Sequence, residues 1–355
     1  MKEGITGFPM KRYKGIIVKQ TIFALLGISL VYFLIGVTGF SFKDLFEKCL
    51  SIELNYILLM LGLTFLTILL KSSRWSLIVR LLTNKEKFPN GFFFHYTCLS
   101  TLIAFFVSQT FSHLGVKTLS LKYKQDIRVI EGSSTVVIEH ILNFLIMLAS
   151  ALPSFLFVSK LLPGVLAISV SFTLIIAIFI VTNNYYHLML KYAYATIAVV
   201  YTIVGKIPLL RKIAHFELTF NAPASEIKKI NALKLLFFSV IIYYALLIRY
   251  YIYAGALNIE IPLLQFILTF PIVYIISIIG ITPGAIGIAE FGWFGVLLYI
   301  GVSKEEASLF VISQRIFSVF SMLIIGLFGY IYYLFSSAPL AKNVSVLEEN
   351  LNSCS

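Results

Sequence analysis

The chain has 355 residues, of which 59% are hydrophobic and only 12% charged, with a formal net charge of +12. A soluble domain keeps about a quarter of its residues charged, so this composition cannot cover a water-facing surface of matching size; with a mean hydropathy of +0.94 it describes a membrane protein. The basic surplus sits between apolar runs, where topology signals lie, which argues against nucleic acid as a partner and for anionic lipid headgroups.

The apolar residues come in runs of about twenty, the length with which a helix crosses roughly 30 Å of hydrocarbon. Strand-type alternation is absent. The expected fold is therefore all-α, a polytopic transmembrane helical bundle of about seven to nine membrane segments, some broken or re-entrant. Residues 1–15 form a basic N-terminus, 16–335 a single transmembrane domain, and 336–355 a polar tail. Cys49, Cys98 and Cys354 are far apart and fit neither a disulfide framework nor a metal site.

The N-terminal stretch carries Lys2, Lys11, Arg12 and Lys14, and the first apolar run covers 16–37. It is too long for a signal-peptide core and reads as a retained helix. The second run, 54–70, ends at an abrupt basic and aromatic boundary, Lys71 to Trp75, followed by Arg80, Lys85 and Lys87. The positive-inside rule puts the N-terminus and this loop in the cytoplasm, with 40–53 outside. The run 92–110 precedes Lys117, Lys122, Lys124 and Arg128. A full crossing would carry those four charges outside, whereas a re-entrant hairpin turning near 112–115 keeps them cytoplasmic.

Residues 135–152 and 162–181 read as a pair joined outside through 153–161. The basic stretch 183–231 is expected in the cytoplasm, its run 188–204 lying at the interface. Residues 233–254 then go out and 263–281 return, with Pro271 in the middle. Whether 285–300 crosses or doubles back decides the side of the C-terminus, and cytoplasmic is expected. Residues 309–335 form the last long helix, and the tail beyond reads as disordered. The interrupted regions 92–128 and 263–301 fall in opposite halves, a pattern of inverted-repeat transporters with a midplane site. Irregular helices with unrelated breaks explain it equally well.

Ionisable side chains inside apolar runs are candidates for function, because each is costly there unless paired or wet. Glu139 and His140 are two, with Asn143 on the Glu139 face; a polar lock to a neighbouring helix is the plainer explanation. Arg249 fits either snorkelling to outer headgroups or bidentate phosphate binding. Glu290 and Arg315 form the strongest pair, as a static ion pair or as a headgroup site with a gate. Thr282, Pro283 and Gly284 break the helix before Gly287 and Glu290, and a half-helix starting there would aim N–H groups at an anion.

The sequence T-P-G-A-I-G-I-A-E at 282–290 is similar to the T-P-G-G-x-G-x-x-E motif of the lysylphosphatidylglycerol synthase transmembrane-region family. Gln314 and Arg315 look like its Tyr-Arg, Arg74 and Trp75 like its R-W, and Glu139 and His140 like its Glu-Arg. Ala285 and Ala289 depart from it, replacing the second Gly of the motif and a frequent Arg before the Glu. So does 112–115, which lacks the Arg of a Pro- and Arg-bearing turn. The resemblance implies a flippase-like protein handling aminoacylated or isoprenoid-linked lipids, with substrate-binding residues among Arg74, Glu139, His140, Thr282, Pro283, Gly284, Gly287, Glu290 and Arg315, to which the reading of charges in apolar runs adds Arg249.

The expected function is translocation of a lipid with an anionic headgroup across the cytoplasmic membrane, by alternating access. Neither a hydrolase motif nor a P-loop is present, and no cofactor is expected. A membrane-embedded transferase using Glu139 or Glu290 as base is an alternative, as is a non-catalytic partner of a biosynthetic enzyme. Partners beyond lipid would be such an enzyme or a second copy of the chain.

Overall fold

The computed structural model describes residues 47–48, 51–83, 85–182, 184, 229–279 and 285–352. The expected first helix at 16–37, the segment 185–228, and Thr282, Pro283 and Gly284 lie outside the described residues. Those described form nine helices: α1 (Leu54–Thr83), α2 (Phe92–Ile103), α3 (Gln109–Gln125), α4 (Val129–Val158), α5 (Gly164–Thr182), α6 (Lys229–Ala256), α7 (Leu263–Ile279), α8 (Ile288–Tyr299) and α9 (Lys304–Asn352). Five are long and apolar enough to cross a membrane: α1, α4, α5, α6 and residues Lys304–Ser336 of α9. The chain is a polytopic helical membrane protein.

The long helices sort their faces by solvent, and here the outer solvent is lipid. On α9, Ile316, Phe320, Leu323, Leu327 and Tyr330 are exposed at spacings of three and four, whereas Ile312, Met322 and Ile325 are buried. Such a stripe marks one face of a helix, and only its apolar character suits hydrocarbon. Lipid tails are as apolar as leucine, so association between helices rests on close packing and polar contacts. A Cβ on Gly132 would lie 3.3 Å from Thr118 Cγ2, so the small residue lets α3 and α4 approach. Around Trp293 the aromatic rings of Tyr250, Phe266, Phe270 and Phe310 join α6, α7, α8 and α9.

Two helical hairpins enter this bundle from opposite ends. α2 and α3 fold back on each other, Ser112 donating to the Ser100 carbonyl, and their open end sits where Lys85 donates to the Gln125 carbonyl. Ser336 of α9 reaches the Asn90 carbonyl at the same end. α7 and α8 open at the other end, where Tyr299 donates to the Val158 carbonyl and Leu264 packs on Gly164. With twelve residues each, α2 and α8 rise only about 18 Å, too short to cross. α8 packs on α7, where a Cβ on Gly292 would lie 3.1 Å from Ile276.

Four boundaries differ from expectation. α1 does not stop at Lys71–Trp75 but runs to Thr83, because Arg74 and Trp75 find partners within the bundle instead of water. The first hairpin turns at 104–108, before the expected 112–115, which is helical. Pro153 lies inside α4, not in a loop. The tail continues helical to Asn352.

Candidate functional site

At the heart of the α1–α3–α4–α6 junction one carboxylate holds two cations. Glu139 Oε2 accepts from Lys117 Nζ at 2.6 Å, and Glu139 Oε1 faces Arg74 Nη2 at 3.6 Å. The side chains of Arg74 and Lys117 are 2% exposed and that of Glu139 6%. Arg74 Nη1 donates to Asn143 Oδ1 and to Ser239 Oγ, both at 2.8 Å. Arg74 Nε is buried with no hydrogen-bond partner. Glu139 and Asn143 therefore do share a face, and they share a partner. The Lys117 ammonium also lies 4.8 Å from the centre of the Trp75 ring, whose Nε1–H donates to Thr135.

A stripe of α1 extends the polar lining. Thr64, Thr67, Lys71 and Arg74 recur at spacings of three and four, so they lie along one face. Arg249 of α6 donates to Thr64 Oγ1 at 3.4 Å, its guanidinium lying over the Tyr250 ring. Arg249, partly buried, is thus turned toward α1. Lys71 lies within the electrostatic reach of Arg249, Arg74, Lys117 and Glu139. Among the described residues it has no ion-pair partner. His140 faces the His113 ring edge-on, centroids 6.1 Å apart, and His113 Nδ1 is 3.4 Å from Ser100 Oγ.

The second pair stands between the hairpins. Glu290 Oε2 accepts from the Gly287 N–H at 2.7 Å, capping α8, while Glu290 Oε1 faces Arg315 Nη1 at 3.5 Å. Gly287 adopts φ 85, open to glycine at little cost. The Arg315 guanidinium also sits 5.3 Å from the centre of the Phe105 ring. Phe105 is in the α2–α3 turn and Glu290 is in the first turn of α8, so Arg315 touches the tips of both hairpins.

Of the residues expected at the site, Arg74 and Glu139 come together, as do Gly287, Glu290 and Arg315. Arg249 joins the first group through α1. Sequence reasoning missed Lys117, Lys71, His113 and Ser239. Lys117 had been expected in the cytoplasm with Lys122 and Lys124. The overlooked signal was helical phase: His113, Lys117 and Leu121 are four apart and all buried, whereas Lys124 is exposed.

Comparison with curated proteins returns no match, and comparison with solved structures returns none either. The model of one family, described as the lysylphosphatidylglycerol synthase TM region, matches residues 21–326. That range takes in every described helix from α1 to α8 and the Arg315 part of α9. The chain therefore belongs to the lysylphosphatidylglycerol synthase transmembrane-region family.

Proposed function

We propose that this protein is a lipid translocase of the cytoplasmic membrane, which guides an anionic headgroup through the bundle while the acyl or prenyl tail stays in lipid. Family membership points to a membrane protein that handles lipids. The observation that carries the finer reading is the meeting of two opposed hairpins at Arg315, which contacts Phe105 from one and Glu290 from the other. Broken helices of this kind surround the midplane sites of transporters that work by alternating access. In this reading Arg315, held by Glu290 between the hairpin tips, passes the headgroup on, and the cations along α1 receive it.

Orientation follows from charge. Among the described residues one end of the bundle carries six basic residues, Arg80, Lys85, Lys87, Lys122, Lys124 and Arg128, with Glu86, Asp126 and Glu131, whereas the other carries two, Lys160 and Lys304, with Glu53, Glu260, Glu305 and Glu306. By the positive-inside rule the basic end is cytoplasmic.

Reconstitution of the full chain into liposomes with a broad panel of headgroup-labelled lipids tests the proposal. Headgroups should move between leaflets faster than in empty vesicles, and Arg315→Gln should slow that movement at least tenfold while the protein still elutes as a folded species. No movement above empty vesicles for any lipid sinks it.

A further inference from the structure

The charges that line the bundle do not balance. Among the described residues Arg74, Lys117, Lys71 and Arg249 are four cations, and Glu139 is the one carboxylate among them. Of the sixteen Asp and Glu residues in the chain, Glu139 and Glu290 alone fall within apolar runs. Glu290 is already matched by Arg315. The apolar runs outside the described residues, 16–37 and 188–204, contain no acidic residue either.

A static polar lock needs no such surplus, since Lys117 at 2.6 Å would neutralise Glu139 alone. The remaining cations differ in kind. A lysine can shed its proton when buried, but an arginine cannot. Arg74 and Arg249 therefore keep two positive charges in the bundle whatever Lys71 does. Charge taken out of water without a counterion is costly; Arg249 is partly buried, and Arg74, fully enclosed, also has a buried Nε donor with no partner. The α1 stripe from Thr64, which holds Arg249, to Arg74 spans ten residues, about 15 Å of helix.

Building on the translocase reading, we propose that the headgroup this protein takes is polyanionic, with two or more negative charges of the phosphomonoester or pyrophosphate class. A phosphodiester such as phosphatidylglycerol brings one negative charge and leaves a cation uncompensated. Lysyl-phosphatidylglycerol, with one phosphate and two ammonium groups, is net positive and would be repelled. A phosphomonoester carries about two charges at neutral pH, with three strong acceptor oxygens, matching the two arginines. Arginine suits it further because the planar guanidinium grips phosphate through two parallel N–H bonds. The stripe offers cations at successive depths, so a headgroup leaving Arg74 meets Lys71 and then Arg249.

The test is ligand-induced thermal stabilisation and native mass spectrometry of the full chain in uncharged detergent at pH 8. The probes are phosphatidic acid, farnesyl pyrophosphate, phosphatidylglycerol, phosphatidylethanolamine, lysyl-phosphatidylglycerol and inorganic pyrophosphate. Phosphatidic acid or farnesyl pyrophosphate should bind at least tenfold more tightly than phosphatidylglycerol. Arg249→Gln and Lys71→Gln, which leave the Glu139 pairs in place, should each erase most of that preference. Equal affinity for phosphatidylglycerol, or a preference that survives both substitutions, overturns the proposal. Inorganic pyrophosphate binding as tightly as the lipids would support the charge class and overturn lipid as its source. Liposomes that move phosphatidylglycerol in preference to phosphatidic acid would overturn the polyanion and leave the translocase standing.

Discussion

Replacing Glu139 by Gln removes one charge and almost no volume, which isolates the electrostatics of the junction. At 2.6 Å from Lys117 and an effective dielectric of about 20, the lost attraction is about 6 kcal/mol gross. Part of it is offset because a neutral amide is easier to bury than a carboxylate. What remains is the cost of stranding Lys117 and Arg74, both 2% exposed, and breaking a buried pair on one side costs about 3–5 kcal/mol. Thermal unfolding of the full chain in detergent reads this as a fall in Tm of about 6–15 °C, taking roughly 2–3 °C per kcal/mol. Adding Lys117→Met should return part of the loss, since the stranded ammonium is gone. A double-mutant cycle isolates that coupling, expected at about 1.5 kcal/mol or more. Glu139→Gln with an unchanged Tm, and a cycle that closes to zero, would show that water already solvates these charges. The account of the junction would then fail.

Three further outcomes follow from the geometry. Trp75→Ala should cost about 3–5 kcal/mol, as expected for emptying a core aromatic site, because Trp75 is fully buried against Phe92 and Phe93. Trp75→Phe should cost less, about 1–3 kcal/mol, from the lost Thr135 hydrogen bond and the space the smaller ring leaves, and the two variants are compared by the same melting assay. Ala285→Gly should raise stability by about 0.5–1 kcal/mol, since Ala285 sits at φ 55, where a Cβ is strained. Gly287→Ala, at φ 85, should lower it by about 1–3 kcal/mol, so the neighbouring substitutions shift Tm in opposite directions. Cys98 is 1% exposed against α9, so peptide mass spectrometry should find it unlabelled by a membrane-permeant maleimide until the protein is unfolded in SDS.

Much of the fold was legible because hydropathy is local and additive. Twenty apolar residues must cross or enter a bilayer whatever surrounds them, so the spans, the helical class and the two broken regions follow from composition along the chain. The same reasoning isolates Glu139, Glu290 and Arg315 as charges that need partners, and even pairs the last two. It fails at Lys71 to Trp75, where a basic cluster read as a membrane boundary continues inside α1 to Thr83. A charge ends a helix in lipid only if nothing in the protein receives it, and here Glu139, Asn143 and Ser239 do.

What the chain alone decided, then, is that two interrupted regions and a few charges fall within apolar sequence. Which charges meet was decided by tertiary packing. Glu139 finds Lys117 22 positions away, and Arg74 reaches Ser239 165 positions away. Arg249 meets Thr64 across 185 positions. Such pairings depend on which helix faces turn together, a property of the whole bundle that no window of sequence contains. The surplus of positive charge becomes visible only once those faces are assembled.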